Sequence, residues 1–162
     1  IWEIEKRLKN IEQTLDTKTE EIFQEEKEIL TSVNGIGTYL AMSFLLETNN
    51  IRDFGNWKQL CAYAGLDPGR KESGTSLKSN GKITKKGNKR LRYILYLMAK
   101  GVSKSCPRYK AYYEKKKREG KCYFDILTAI SNKLIKLLFY LLKTGKKYMD
   151  NYEQSLKLER VI

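Results

Sequence analysis

The chain contains no histidine, which excludes imidazole acid–base catalysis and histidine metal ligands from it. Cysteine is scarce. Cys61, Cys106 and Cys122 are widely spaced, with no thiol pair at zinc-finger spacing. A structural zinc site and a disulfide framework are therefore not expected, and an intracellular setting suits the chain better. Long apolar runs are missing too. Leu137-Leu138-Phe139-Tyr140-Leu141-Leu142 is bounded by Lys136 and Lys143, far short of the roughly 18–20 residues that span a bilayer. No cleavable signal is visible, and no membrane association is expected. The first residue, Ile1, already sits inside a periodic pattern, so the expectation is a piece of a longer protein.

The 162 residues suit one ordinary domain with a real core, and a large two-domain enzyme is excluded. Lysine and arginine number 32 against 19 acidic residues, a net charge of +13. That excess is concentrated. Residues 66–121 hold 18 basic and 4 acidic residues, whereas residues 1–31 are net acidic, with 5 basic and 9 acidic. A focused positive segment of this kind predicts a phosphate-bearing partner and favours nucleic acid.

Hydrophobic spacing predicts an all-α fold. Ile1, Leu8, Leu15, Ile22 and Ile29 recur every seven residues, with Ile4 and Ile11 in the companion positions. Residues 1–31 therefore read as a long coiled-coil-like helix able to join copies. The companion seam weakens at Lys18 and Glu25. Residues 32–143 read as a compact helical domain. Thr38 to Leu46 resumes a helix, and Asn56 is placed to cap Trp57 to Ala64, with Gly65 just beyond its end. Residues 66–85 lack helical periodicity and form a long basic loop or short hairpin, pinned by Leu66 and Leu77. Leu91, Ile94, Leu95, Met98 and Val102 mark the next helix. Pro107 opens one that reaches Arg118, and Gly120 ends it. Phe124, Leu127, Ile130, Leu134, Leu138 and Leu141 define the last, whose broad apolar stripe predicts a central position. Residues 144–162 read as a polar terminal helix or tail.

Three stretches carry candidate chemistry. In Val33-Asn34-Gly35-Ile36-Gly37-Thr38, Gly35 can take positive φ, Ile36 plugs the core, and Gly37 lets a phosphate approach the next helix's first amides. That is a helix-hairpin-helix-like turn, although a simple tight corner explains the same residues. In Arg70-Lys71-Glu72-Ser73-Gly74, a serine hydroxyl stands beside two cations. Serine attack on a phosphodiester needs such company, yet serine in a polar loop is ordinarily only a turn residue. The third stretch, Lys82 to Arg92, supplies Lys85, Lys86, Lys89, Arg90 and Arg92 for phosphate, with Thr84 or Asn88 as the helix cap. Arg90 and Arg92, two apart, cannot share one helical face equally.

Lys115, Lys116, Lys117 and Arg118 form a further basic run, read as a peripheral nucleic-acid contact or a solvated helix face. Tyr93 and Tyr96 lie beside an apolar stripe and are expected at the core or its boundary. Tyr112 and Tyr113 are better surface candidates. A tyrosine nucleophile lacks its usual arginine–histidine company.

Taken in order, Asn34-Gly35-Ile36-Gly37, the Phe54 to Leu66 segment ending Tyr63-Ala64-Gly65-Leu66-Asp67-Pro68, Glu72-Ser73-Gly74, and Ile83 to Arg92 resemble one family. It is the C-terminal transposase domain of bridge-RNA-guided insertion-sequence transposases, relatives of the pilin-gene inverting recombinase. The resemblance spans roughly residues 29–119. It implies that Ser73 is the nucleophile of DNA strand cleavage and exchange, and that the N-terminal helix belongs to a connecting coiled coil. It further implies a RuvC-like domain outside this chain that holds divalent magnesium, no cofactor within the chain itself, and an inactive isolated fragment. The implied partners are double-stranded DNA, a structured guide RNA and further copies of the protein, in a prokaryotic cytoplasm at the nucleoid. One departure is Glu72, where the family commonly has glutamine. The competing function is a non-catalytic helix-hairpin-helix-type nucleic-acid-binding module.

Overall fold

The computed structural model describes residues 22–68 and 83–149, together with Glu3 and Arg7. Among the described residues the fold is all-α, with six helices and no strand. Helix α1 spans Gln24–Thr31, α2 Thr38–Thr48, α3 Trp57–Tyr63, α4 Lys89–Ser105, α5 Pro107–Arg118 and α6 Tyr123–Thr144. A 3-10 turn, Ile51–Asp53, links α2 to α3.

Helix α6 is central, as its stripe predicts. Leu127, Ile130, Leu134, Leu138 and Leu141 are wholly buried, and Ile126, Ile135, Leu137 and Leu142 widen the buried arc. It packs against α1, the 3-10 turn, α3, α4 and α5. Truncating one of those leucines to alanine would cost about 2–5 kcal/mol through lost transfer energy and a residual cavity. Ser131 sits in the same arc without an orphan hydroxyl, because its Oγ donates to the carbonyls of Leu127 (2.9 Å) and Leu95 (3.3 Å).

Local signals set the helix ends. Asn56 Oδ1 accepts from the amides of Lys58 (3.0 Å) and Gln59 (3.1 Å), so α3 is capped by the expected residue. Gly65 follows α3 at φ +67°. Pro107 occupies the first turn of α5, where its missing N–H costs nothing. The apolar stripe of α4 is buried throughout.

Positions 1–21 of the heptad, apart from Glu3 and Arg7, lie outside the described residues, as does the tail from 150 onward. At the described end of the seam, Ile22 is 70 % exposed while Ile29 and Leu30 enter the domain core. Of the late heptad positions, Ile29 therefore serves intrachain packing and Ile22 does not. After α6 the chain folds back. The Tyr148 amide donates to Ser32 Oγ (2.8 Å) and Lys147 Nζ lies 3.0 Å from Glu28, which lowers that carboxyl below the usual range.

The aromatic expectations need correction. Phe124, placed in the buried stripe of α6, is 63 % exposed, and Tyr93 is 62 % exposed, whereas Tyr112 and Tyr113 pack partly against the core. At the first turn of α6 the inward arc is filled by Ile126 and Leu127, so Phe124 is left outside.

Candidate nucleic-acid interface

The glycine turn and α4 touch backbone to backbone. Gly35 has φ +101°, and a Cβ there would lie 2.6 Å from the carbonyl carbon and oxygen of Gly101 in α4. Reciprocally, a Cβ on Gly101 would strike the Gly35 carbonyl oxygen. Ile36, between the two glycines, is buried as the plug. Gly37 differs. It stands at the start of α2 with φ −83°, and among the described residues no side chain caps it and a Cβ there would meet nothing within 4 Å. The first amides of α2 thus lack intrahelical partners and face open space beside Gly37.

The second feature is a stem formed by the residues on either side of the basic segment 69–82. Pro68 and Ile83 form an antiparallel bridge. The Thr84 amide donates to the Asp67 carbonyl (2.9 Å), the Lys85 amide to Gly65 (3.0 Å), and the Asn88 amide to Tyr63 (2.8 Å). Thr84 Oγ1 donates to Asp67 Oδ1 at 2.5 Å, so Thr84 closes the stem while Asn88 caps α4 through the amides of Arg90 (2.9 Å) and Leu91 (3.1 Å). Lys85 takes φ +55°, a left-handed conformation costly for a side-chain-bearing residue, and is held there by these bonds. Gly87 is required by close approach, since a Cβ would lie 2.7 Å from the Gly65 nitrogen. Leu66 is buried under the stem.

Within this stem the two arginines divide. Arg92 turns inward, where Nη1 donates to the carbonyls of Ala64 (3.0 Å) and Lys85 (3.4 Å), closing the end of α3. Arg90 stays outside, with Nη1 3.9 Å from Glu47 Oε1. Lys85, Lys86 and Lys89 are exposed. Glu47, at the end of α2, also accepts from Asn88 Nδ2 (2.7 Å). It is an acidic member of this basic cluster that spacing alone did not bring there. Arg70, Lys71 and Ser73 lie outside the described residues, as does Leu77; Pro68 and Ile83 mark the two ends of their segment.

The structure keeps the two features apart. Asn88 and Gly101 are separated along α4 by about 20 Å of helical rise, so the glycine turn and the loop stem would meet different phosphates. On α5, Lys115, Lys117 and Arg118 are exposed, while Lys116 Nζ pairs with Glu119 Oε2 at 2.5 Å, raising the lysine pKa and lowering that of the glutamate. Their place in the last turn of α5 suits the helix dipole.

Cysteine chemistry is not offered near the stem. Cys61 is buried, donates to Asn132 Oδ1 (3.1 Å), and has its pKa pushed up to about 11 by burial and then by Asp67. A protonated, enclosed thiol is a poor nucleophile. Among the described residues no group of three histidine, cysteine, aspartate or glutamate side chains is placed to hold a metal, and no helix is long and apolar enough to cross a membrane.

The model of the Transposase IS116/IS110/IS902 family matches residues 27–114. The chain belongs to that family. Three relatives extend the comparison. The 43.6 kDa protein of insertion element IS110 from Streptomyces coelicolor is 28% identical over 130 residues, 80% of this chain and 32% of its own length. The 42 kDa protein of insertion element IS900 from Mycobacterium paratuberculosis is 29% identical over 136 residues, 82% and 34% respectively. The pilin gene-inverting protein of Moraxella bovis is 27% identical over 121 residues, 74% and 38%. The chain thus spans about a third of the length of the curated relatives it matches. The matched residues contain both the glycine turn and the loop stem.

Proposed function

We propose that the chain is the C-terminal part of a DNA transposase in which Ser73 is the nucleophile of strand cleavage and exchange. The reading is supported above all by the family match over residues 27–114, which includes the cation-rich segment around Ser73. In the step proposed, Ser73 Oγ attacks a backbone phosphorus. A phosphoserine ester forms, one DNA phosphodiester bond breaks, and the DNA oxygen leaves with a proton. Reversal by a different DNA hydroxyl completes exchange.

Arg70, Lys71, Lys85, Lys86, Lys89 and Arg90 hold the transferring phosphate and its neighbours, and Gly35 and Gly37 seat a phosphate some distance along the same DNA. Arg92 acts mainly by closing the stem on which the others stand. Divalent magnesium does not fit the described donor set, and in this reading it belongs to a RuvC-like domain outside the chain. Guide-RNA binding and assembly through the N-terminal helix complete the proposal on the strength of resemblance.

The test is Ser73→Ala in the full-length protein. Recombination is expected to vanish while salt-sensitive DNA binding survives; intact recombination would exclude the serine role and favour a non-catalytic binding module. The 162-residue chain alone, with magnesium, is expected to bind DNA but not to cut it. Serine-dependent nicking by the fragment would overturn the assignment of metal to another domain.

A further inference from the structure

One surface is absorbed by neither the glycine turn nor the loop stem. Five aromatic rings from α4, α5 and α6 form a track. Tyr96 of α4 stacks on Phe124 of α6, with centroids 6.1 Å apart and planes 19° apart. Phe124 meets Tyr123 edge-on at 5.5 Å, and Tyr123 meets Tyr113 of α5 at 6.2 Å. Tyr93 adjoins Tyr96, one turn earlier on α4. The Tyr96 phenol is raised above its ordinary pKa, first by burial and then by Tyr123 and Tyr93.

Cations stand at both ends. Lys89 is one turn before Tyr93, and Lys117 is one turn after Tyr113. Both are exposed. The track thus joins the basic start of α4 to the basic end of α5. Exposed acid is sparse along it: Glu119 is paired with Lys116, leaving Asp125 in the first turn of α6 and Glu114 on α5.

Phe124 and Tyr93 leave most of their surface in water. Exposed rings that belong to one contiguous aromatic cluster, rather than scattered singly, mark an interaction surface. Exposed rings of this kind suit bases that are unpaired and splayed, because only then are π-faces free to stack on a side chain. Lysines at the ends match a phosphate backbone and disfavour a basic or apolar protein partner.

We infer that the Tyr93–Tyr96–Phe124–Tyr123 track, flanked by Lys89 and Lys117, is a stacking platform for unpaired single-stranded DNA. The inference deepens the proposed function, because DNA undergoing strand exchange passes through an unpaired segment that must be held. Phe124 is braced from beneath by Tyr96 and presents its outer face. Tyr93 extends the platform toward the loop stem.

Fluorescence anisotropy on the 162-residue chain tests this with labelled oligo-dT, a duplex of the same length and oligo-rU. Tyr93→Ala and Phe124→Ala are each expected to weaken oligo-dT binding about tenfold, the scale of one lost base stack, with duplex affinity and the salt slope unchanged. Tyr93→Phe should retain binding. Because both residues are well exposed, thermal melting should barely move, which separates lost stacking from lost folding. Photocrosslinking of bromouracil-substituted oligo-dT should label the peptides holding Tyr93 and Phe124. Equal losses on duplex and oligo-dT, unchanged oligo-dT affinity, or loss confined to oligo-rU would overturn the inference. A change of oligomeric state without a change in oligo-dT affinity would also overturn it, marking the patch as a protein-docking face. If the unaltered chain binds no DNA of any kind, the proposed function fails as well; if only the duplex is bound, the platform alone fails.

Discussion

Replacing Gly101 with alanine pits two known effects against each other. Gly101 lies inside α4, where alanine is favoured over glycine by about 1 kcal/mol. By propensity alone, Gly101→Ala should stabilise the chain. The added methyl, however, would press into the Gly35 carbonyl oxygen and lie 3.2 Å from its carbon. Both obstacles are backbone, and Gly35 is fixed at φ +101° with Ile36 buried beside it. No rotamer relieves the contact, so α4 and the turn must separate. Overpacking of this kind costs about 1–3 kcal/mol, and a backbone obstacle puts it at the upper end. The expected net loss is about 1–2 kcal/mol, a fall in Tm of about 2–8 °C for a domain of this size. Far-UV circular dichroism melts of the 162-residue chain read it directly. A Tm that rises would refute the reasoning, because it would mean that the turn and α4 do not meet. Gly37→Ala is the matched control. Its Cβ would meet nothing, so only a cap preference below about 1 kcal/mol is at stake.

Four other outcomes are expected. Lys89→Gln should reduce the salt slope of duplex binding by about one while leaving Tm in place, whereas Arg92→Gln should lower Tm with little change in slope, since Arg92 donates to Ala64 and Lys85 carbonyls. The reverse pattern would move Arg92 back among the phosphate contacts. Tyr109→Phe should stabilise the chain by about 1 kcal/mol, because the buried Tyr109 hydroxyl has no hydrogen-bond partner among the described residues; a lower denaturant midpoint would count against this. Stability should also fall as pH rises from about 9 toward 11. The Cys61 thiol, ordinarily at 9.0, is raised to about 11 in the fold, so the unfolded chain releases its proton first and that contribution disappears across the window. Burial raises the Tyr109 phenol in the same direction. Denaturant midpoints of the native chain and Cys61→Ala, compared across that range, should converge. At neutral pH a thiol reagent should label Cys122 and spare Cys61 and Cys106, as their exposure dictates.

Much of the helical architecture was legible because helix signals are local. The spacing of Leu91, Ile94, Leu95, Met98 and Val102, the cap at Asn56 and the opening Pro107 each act within a turn or two of chain. The breadth of the apolar arc on α6 likewise announced its central place. Spacing failed where a residue's fate depends on what another helix covers. Phe124 fits the α6 stripe as well as Leu127 does, yet Ile126 and Leu127 fill the inward arc of that turn and the ring stays exposed.

Sequence by itself determined the helical periods, the concentration of positive charge in residues 66–121 and the absence of histidine chemistry, since each is a property of order and composition. Tertiary structure decided which members of each cluster meet. It turned Arg92 inward and Arg90 outward, brought Glu47 to Asn88, and set the glycine turn about 20 Å along α4 from the loop stem. It also gathered aromatic rings from three helices into one track. Those outcomes rest on contacts between residues far apart in the chain, and close packing of whole helices fixes such contacts where no local pattern can.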